Sequence, residues 1–125
     1  MKKVMIITNN PQVALIDGAV YYDESLIDIL IRVRNLVHSG YVLISHPLAG
    51  SVKPNETPYK SVILEPKPLP QLDEFSLQII ESSMATATKL LMDRPLKSRS
   101  EEIKADYAMI DHSLMMSGLQ SLSQF

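Results

Sequence analysis

The sequence predicts a single α/β domain over residues 1–125, a three-layer arrangement in which helices flank a short, mostly parallel sheet of about four strands. Three observations predict this fold class. Short apolar runs without alternation indicate strands that are covered on both faces. These runs alternate along the chain with segments of helical periodicity. Two long helical segments then predict a helical pair at the C-terminus.

The first strand is predicted over residues 3–8, because the apolar run VMII contains β-branched side chains. Asn9, Asn10 and Pro11 end this run, since all three residue types favour turns. A short helix follows over residues 11–16, with Asn10 as its N-cap and Pro11 at its first position. The chain therefore turns directly after the strand and leaves polar groups at its carboxyl end.

Residues 19–22 are short, apolar and aromatic, and they predict a second strand. A helix is predicted over residues 23–39, with Asp23 as its cap and Gly40 as its stop. Residues 41–45, YVLIS, predict the third strand as a further continuous apolar run. The apolar residues of the helix recur at the spacing of one buried face: Leu26, Leu30, Val33 and Val37.

After a long polar loop, residues 61–64 predict the fourth strand. Three prolines within residues 66–70 predict an extended connection. A long helix is predicted over residues 71–93, and Pro95 ends it because proline cannot continue a helix. Its apolar residues have helical spacing: Leu77, Ile80, Met84, Ala87 and Leu91.

The last helix is predicted to begin in the motif SRSE, where Ser98 and Glu101 form a capping box, and to end at Gly118. Its buried stripe is predicted to contain four residues: Ile103, Tyr107, Ile110 and Leu114. Three methionines extend beyond that stripe: Met109, Met115 and Met116. Because methionine-rich faces also serve adaptable partner surfaces, we expect this helix to contact a partner or a second copy of the chain.

Composition and charge exclude several classes of function. The formal net charge is -2 without a basic cluster, so we expect no nucleic-acid partner. The absence of cysteine excludes disulfides and thiolate metal sites, and His38, His46 and His112 are too scattered to form a metal site. No stretch approaches the roughly 20 apolar residues of a membrane span. We therefore expect a cytoplasmic protein without a membrane partner, a metal or a cofactor.

Residues 46–61, HPLAGSVKPNETPYKS, form a loop longer than the roughly 4–6 residues that usually join elements. Its three prolines restrict the backbone, which predicts an ordered loop. Ligands of α/β proteins bind outside the carboxyl ends of strands, and this loop and the turn after the first strand both leave such ends. We expect one ligand-binding site from ten residues: Thr8, Asn9, Asn10, His46, Gly50, Ser51, Lys53, Asn55, Thr57 and Tyr59.

Two interpretations of this site stay open. In the first, a small carboxylate or phosphate binds, with Lys53 as the charge, Asn9 and Asn55 fixing its orientation, and His46 titrating near neutrality. In the second, residues 55–58 are a turn network that holds the loop shut. A histidine directly after a strand is more often structural than catalytic, so we assign no catalytic residue.

The stretches MIITNNP, at residues 5–11, and HPLAGSVKPNETPYKS resemble the GrdX family. Its members are small proteins encoded with the glycine, sarcosine and betaine reductase systems of amino-acid-fermenting anaerobic bacteria. The resemblance implies an accessory role beside such a reductase, with reductase subunits as partners and no catalytic mechanism. The absence of cysteine fits a helper better than a redox component.

Two functional hypotheses follow. The first is a non-catalytic accessory protein whose loop or last helix contacts a reductase subunit. The second is a small anion- or metabolite-binding protein, or a minor enzyme, that uses the loop of residues 46–60. A ligand site requires convergent polar groups in a concave pocket, whereas a partner surface requires exposed apolar area beside the loop.

Overall fold

The computed structural model describes residues 2–48 and 52–122. Within them, three strands form one sheet in the order β2-β1-β3: Met5–Thr8 (β1), Ala19–Tyr21 (β2) and Ser61–Leu64 (β3). β1 pairs in parallel with β2 and antiparallel with β3. The α/β class is confirmed. The expectation of about four mostly parallel strands is wrong, since the sheet is smaller and mixed.

Residues 41–45 do not form the predicted third strand. Leu43 makes only an isolated bridge to the end of β3. The Ser76 hydroxyl accepts a hydrogen bond from the Leu43 N–H at 3.0 Å, and the Ser45 hydroxyl accepts one from the Ile63 N–H at 2.8 Å. Because serine side chains take these backbone donors, the segment lies beside β3 without a regular ladder.

β3 runs antiparallel because the loop before it returns the chain to the carboxyl end of β1. The Asn9 N–H donates to the Lys60 carbonyl at 3.3 Å, and Asn9 Oδ1 accepts from the Lys60 N–H at 2.8 Å. β3 then begins at Ser61, opposite Thr8. Thr8, Asn9 and Asn10 therefore lie where the carboxyl end of β1 meets the amino end of β3.

The described residues form three α-helices: Leu26–His38 (α1), Glu74–Asp93 (α2) and Glu101–Leu122 (α3). The cap of α1 is Ser25, whose hydroxyl accepts from the Asp28 N–H at 3.1 Å, so the prediction of Asp23 was two residues early. Gly40 follows α1 with a φ of 102°, which confirms it as the stop. Asp73 caps α2.

α3 differs from its prediction at both ends. The Ser100 hydroxyl accepts from the Ile103 N–H at 3.3 Å, so Ser100 and not Ser98 caps the helix. The helix continues through Gly118 to Leu122, because its last turns pack on the sheet. A Cβ at Gly118 would lie 3.4 Å from Ile63 Cδ1, an ordinary van der Waals distance, so the helix lies close to the sheet here but has room for a methyl group.

Two apolar clusters cover the two faces of the sheet. Ile7 and Val62 belong to the cluster that contains the buried residues of α1 and α2. Ile6 and Ile63 belong to the other cluster, with α3 and the short 3-10 helix Val13–Leu15, which takes the place of the helix predicted over residues 11–16. Two long helices follow the last strand as predicted, but they do not pack as a pair, because α2 packs on α1 and α3 packs on the opposite face of the sheet.

The buried stripe of α3 contains Ala108, Met115 and Leu119 instead of the predicted residues. It lies one residue later in register, which turns the helix by about 100°. This rotation places four apolar side chains outward, and each of them is between 38% and 55% exposed. We call these four residues the α3 outer face: Met109, Ile110, Leu114 and Met116. No helix of the described residues is long and apolar enough to cross a membrane.

Candidate functional site

A hydrogen-bonded chain of side chains lies where β1, β3 and α3 meet. Thr8 and Ser61 are register partners at the sheet end, and their hydroxyl oxygens are 2.7 Å apart. The Ser61 hydroxyl donates to Asp111 Oδ2 at 2.7 Å. Thr8 Oγ1 accepts from the Asn10 N–H at 2.9 Å. Since a serine hydroxyl has one proton, Thr8 donates to Ser61, and the chain of donors ends at the Asp111 carboxylate.

Asn10 joins this chain to α3. Its Nδ2 donates to the Ala108 carbonyl at 2.9 Å and to Asp111 Oδ2 at 3.0 Å. Its Oδ1 accepts from the Gln12 N–H at 3.0 Å, and the residue is completely buried. Both amide donors are therefore used inside the protein, and Asn10 fixes the position of α3 against the sheet.

Asn9 closes the long loop in the same way. Its Nδ2 donates to the carbonyls of Pro58 at 2.8 Å and Glu24 at 2.9 Å. Together with its two bonds to Lys60, these contacts hold the last residues of the loop against β1 and the start of α1. The side-chain amide of Asn9 is fully engaged by protein groups.

Lys60 lies beside this network and is only 7% exposed. Burial lowers the pKa of its ammonium group, and the nearby Asp111 carboxylate partly opposes the shift. Lys60 is absent from the direct ion pairs of the described residues, so this attraction acts across a gap. The pair is thus a buried cation and a half-buried anion at the meeting point of the loop and α3.

The gap belongs to a cavity of about 20 Å³. A single water needs at least about 10–15 Å³ of such space, so the cavity accommodates a water between the charges but is too small for a metabolite. Eight residues line it: Val52, Thr57, Tyr59, Lys60, Tyr107, Ile110, Asp111 and Leu114. Ile110 and Leu114 connect this cavity to the α3 outer face. The described residues contain no cluster of three or more potential metal ligands.

The model of the family described as GrdX-like protein matches residues 5–120. The chain belongs to the GrdX-like family. The match covers α1, α2 and most of α3, and therefore extends beyond the two stretches that carry the resemblance in the sequence. No curated protein and no solved structure matches the chain significantly.

In this GrdX-like chain, five of the predicted site residues lie near the carboxyl end of β1. Thr8, Asn9 and Asn10 form the network described above, and Thr57 and Tyr59 line the small cavity. Thr57 Oγ1 accepts from the Tyr59 N–H at 3.1 Å, which shapes the loop before Lys60. These five residues lie close together, and their polar atoms bind mainly other protein groups.

The remaining predicted residues are apart from this network or outside the described residues. His46 is exposed, and its Nδ1 accepts from the Leu48 N–H at 3.0 Å. Lys53 is exposed, and its carbonyl accepts from the N–H groups of Glu56 and Thr57 at 2.9 and 3.3 Å. Asn55 Oδ1 is buried without a partner among the described residues. Gly50 and Ser51 lie outside them.

Sequence reasoning missed Lys60, Ser61 and Asp111. The predicted fourth strand contains Ser61, but the predicted buried stripe of the last helix does not contain Asp111. The stripe that contains Ala108 and Met115 also contains position 111, so the correct register of α3 would have turned Asp111 inward. A carboxylate within a buried stripe is the signal that could have identified this site.

Proposed function

We propose that this GrdX-like protein is a non-catalytic accessory protein of a glycine, sarcosine or betaine reductase system, and that the α3 outer face binds a reductase subunit. The family membership supports the cellular setting. The observation that carries the partner surface is exposed apolar area directly beside the loop, because Ile110 and Leu114 belong to the α3 outer face and also line the small cavity together with loop residues. This is the arrangement expected of a partner surface rather than of a ligand pocket.

The α3 outer face has the properties of a contact surface. Its four side chains occupy two adjacent turns of one helix, and Met109, Ile110 and Leu114 line a shallow apolar depression of about 400 Å³. Burial of apolar surface stabilises a complex by roughly 25 cal/mol per Å² before the costs of association. Two of the four residues are methionines, whose flexible side chains adapt to a partner of irregular shape.

The internal engagement of the polar groups supports a non-catalytic role. Asn9 and Asn10 use their side-chain amide donors on protein carbonyls and on Asp111, and the Thr8 hydroxyl donates to Ser61. Catalytic groups instead need open hydrogen-bonding positions for a substrate. The network therefore supports a structural role for the end of β1 beneath the loop.

The alternative of a small-anion site on the loop of residues 46–60 remains a prediction centred on Lys53. Its test is a thermal melt with phosphate, glycine and short carboxylates. A rise in melting temperature that Lys53→Ala abolishes would support that site. A rise that survives Lys53→Ala places the anion elsewhere on the chain.

The accessory proposal is tested by binding to purified reductase subunits from an amino-acid-fermenting anaerobe. The double variant Ile110→Glu/Leu114→Glu places two charges on the α3 outer face and is expected to weaken binding at least tenfold, because a desolvated charge opposes burial. Phe75→Glu is the matched control. Phe75 is 72% exposed on α2, across the sheet from α3, and its substitution should leave binding within twofold of wild type.

Two outcomes would overturn the proposal. Absence of binding to any reductase subunit contradicts the accessory role, and equal binding by wild type and the double variant contradicts the chosen surface. Sedimentation of the wild-type chain at high concentration identifies a third outcome, in which the α3 outer face is occupied by a second copy. In that case the double variant would be monomeric, and the reductase subunit would not displace the second copy from the α3 outer face.

A further inference from the structure

A second cleft lies between the end of the loop, the segment after α2 and the first turn of α3. Its volume is about 270 Å³. We call it the basic cleft, and six residues line it: Pro58, Leu96, Lys97, Ser98, Arg99 and Lys104. None of these residues belongs to the predicted site or to the α3 outer face.

The basic cleft has an excess of positive charge. Lys97, Arg99 and Lys104 line it, and Lys104 Nζ forms an ion pair with Glu101 Oε1 at 3.0 Å. The hydrogen bond and the charge of Glu101 raise the pKa of Lys104, so this lysine stays protonated at neutral pH. Three cations with one carboxylate leave an excess of two positive charges in one cleft. Like charges gathered in this way repel one another unless an anion binds between them.

Arg99 lines this cleft and has an unsatisfied donor behind the cleft wall. Its Nε is buried and has no hydrogen-bond partner among the described residues. One terminal nitrogen makes a long contact of 3.4 Å with the Tyr107 hydroxyl, and the guanidinium carbon lies 5.5 Å from the centre of the Tyr107 ring. Tyr107 thus positions the guanidinium without satisfying it. A buried donor of this kind is unfavourable until an acceptor oxygen arrives.

We propose that the basic cleft binds the phosphate group of a small phosphorylated metabolite. Phosphate oxygens match the planar fork of arginine, and the two lysines supply further charge. The volume is slightly below the range of roughly 300–1,000 Å³ typical of ligand pockets, which fits a phosphomonoester of only a few carbon atoms. Pro58 and Leu96 provide apolar walls for those carbons. This inference does not depend on the binding of a reductase subunit.

The test is calorimetric titration of the full chain at constant ionic strength with 2-phosphoglycolate, inorganic phosphate and glycolate. We expect saturable one-site binding of 2-phosphoglycolate, weaker binding of inorganic phosphate, and none of glycolate. Arg99→Lys keeps the charge but removes the fork, and should raise the dissociation constant at least tenfold. Arg94→Ala removes an exposed cation outside the basic cleft and should change that constant less than twofold.

Several results would overturn the proposal. These are absence of saturable binding of both phosphates, wild-type affinity in Arg99→Lys, or equal weakening in Arg94→Ala. NMR of the wild-type chain keeps the test decisive if a variant fails to fold. Phosphate addition must then shift amide signals within residues 97–104, whereas shifts confined to residues 46–57 would place the anion on the loop around Lys53.

Discussion

Replacement of Asp111 with alanine tests whether the network at the sheet end stabilises the fold. Asp111 Oδ2 accepts hydrogen bonds from Ser61 and Asn10, at 2.7 and 3.0 Å, and both donors are buried. Hydrogen bonds to a charged group contribute roughly 1.5–3 kcal/mol each. The Ser61 hydroxyl can turn to Thr8 and Asn10 keeps its bond to Ala108, so we reduce the sum to about 2–4 kcal/mol of lost stability.

The assay is urea unfolding followed by circular dichroism. With a slope of about 2 kcal/mol per molar urea, the middle of the usual range, Asp111→Ala should lower the midpoint by roughly 1–2 M without changing the slope. Asp111→Asn keeps an acceptor oxygen and should lose about half as much stability. Asp106 is exposed on the same helix, so Asp106→Ala is the control and should stay within about 0.5 kcal/mol of wild type. Equal midpoints for Asp111→Ala and Asp106→Ala would refute the stabilising role of the network.

Three further predictions concern charge, packing and backbone conformation. Burial lowers the pKa of Lys60, so between that lowered value and the ordinary lysine value of about 10.4 the unfolded chain binds more protons and stability rises with pH. Lys60→Met should lack this rise of stability with pH. Identical pH profiles of unfolding for the wild-type chain and Lys60→Met would contradict the burial of a charged lysine. Met115→Ala should lose about 2–5 kcal/mol of stability because Met115 is in the core. Met116 is half exposed, so Met116→Ala should change stability by less than about 0.5 kcal/mol. Equal urea midpoints for the two variants would disprove the register of α3. Gly40→Ala should lose about 2–4 kcal/mol, since φ is positive and a Cβ would meet a backbone carbonyl oxygen. Gly118 lies within a helix, so Gly118→Ala should be neutral or stabilising by up to about 1 kcal/mol. Thermal melts of Gly40→Ala and Gly118→Ala will compare the two effects.

Local sequence patterns predicted the elements whose stability depends on local features. The apolar run before Asn9 gave β1, and the spacing of Leu26, Leu30 and Val33 gave the buried face of α1. These signals are reliable because a run or a periodicity reflects burial directly. The same reasoning failed at residues 41–45, where an equally apolar run lies beside β3 and the Ser45 and Ser76 hydroxyls take backbone donors.

The candidate site was predicted in part for a related reason. Turn-forming residues at the end of β1 indicated Asn9 and Asn10 correctly as neighbours of the loop. Asp111 lies about a hundred residues further along the chain from Asn10, and its role depends on the register of α3. Ile103, Ile110 and Leu114 form a regular apolar stripe that competes with the true one, and only packing on the sheet decides between them.

The bonds from Asn10 to Ala108 and Asp111 span 98 and 101 residues. During synthesis, Asn10 leaves the ribosome long before its partners on α3 exist. Until they arrive, the face of the sheet that contains Ile6 and Ile63 stays uncovered, and its polar groups are hydrated. We therefore expect α3 to dock on the nascent chain after the sheet has formed, and α3 must be synthesised before the apolar surface around Ile6 is protected from association with other chains.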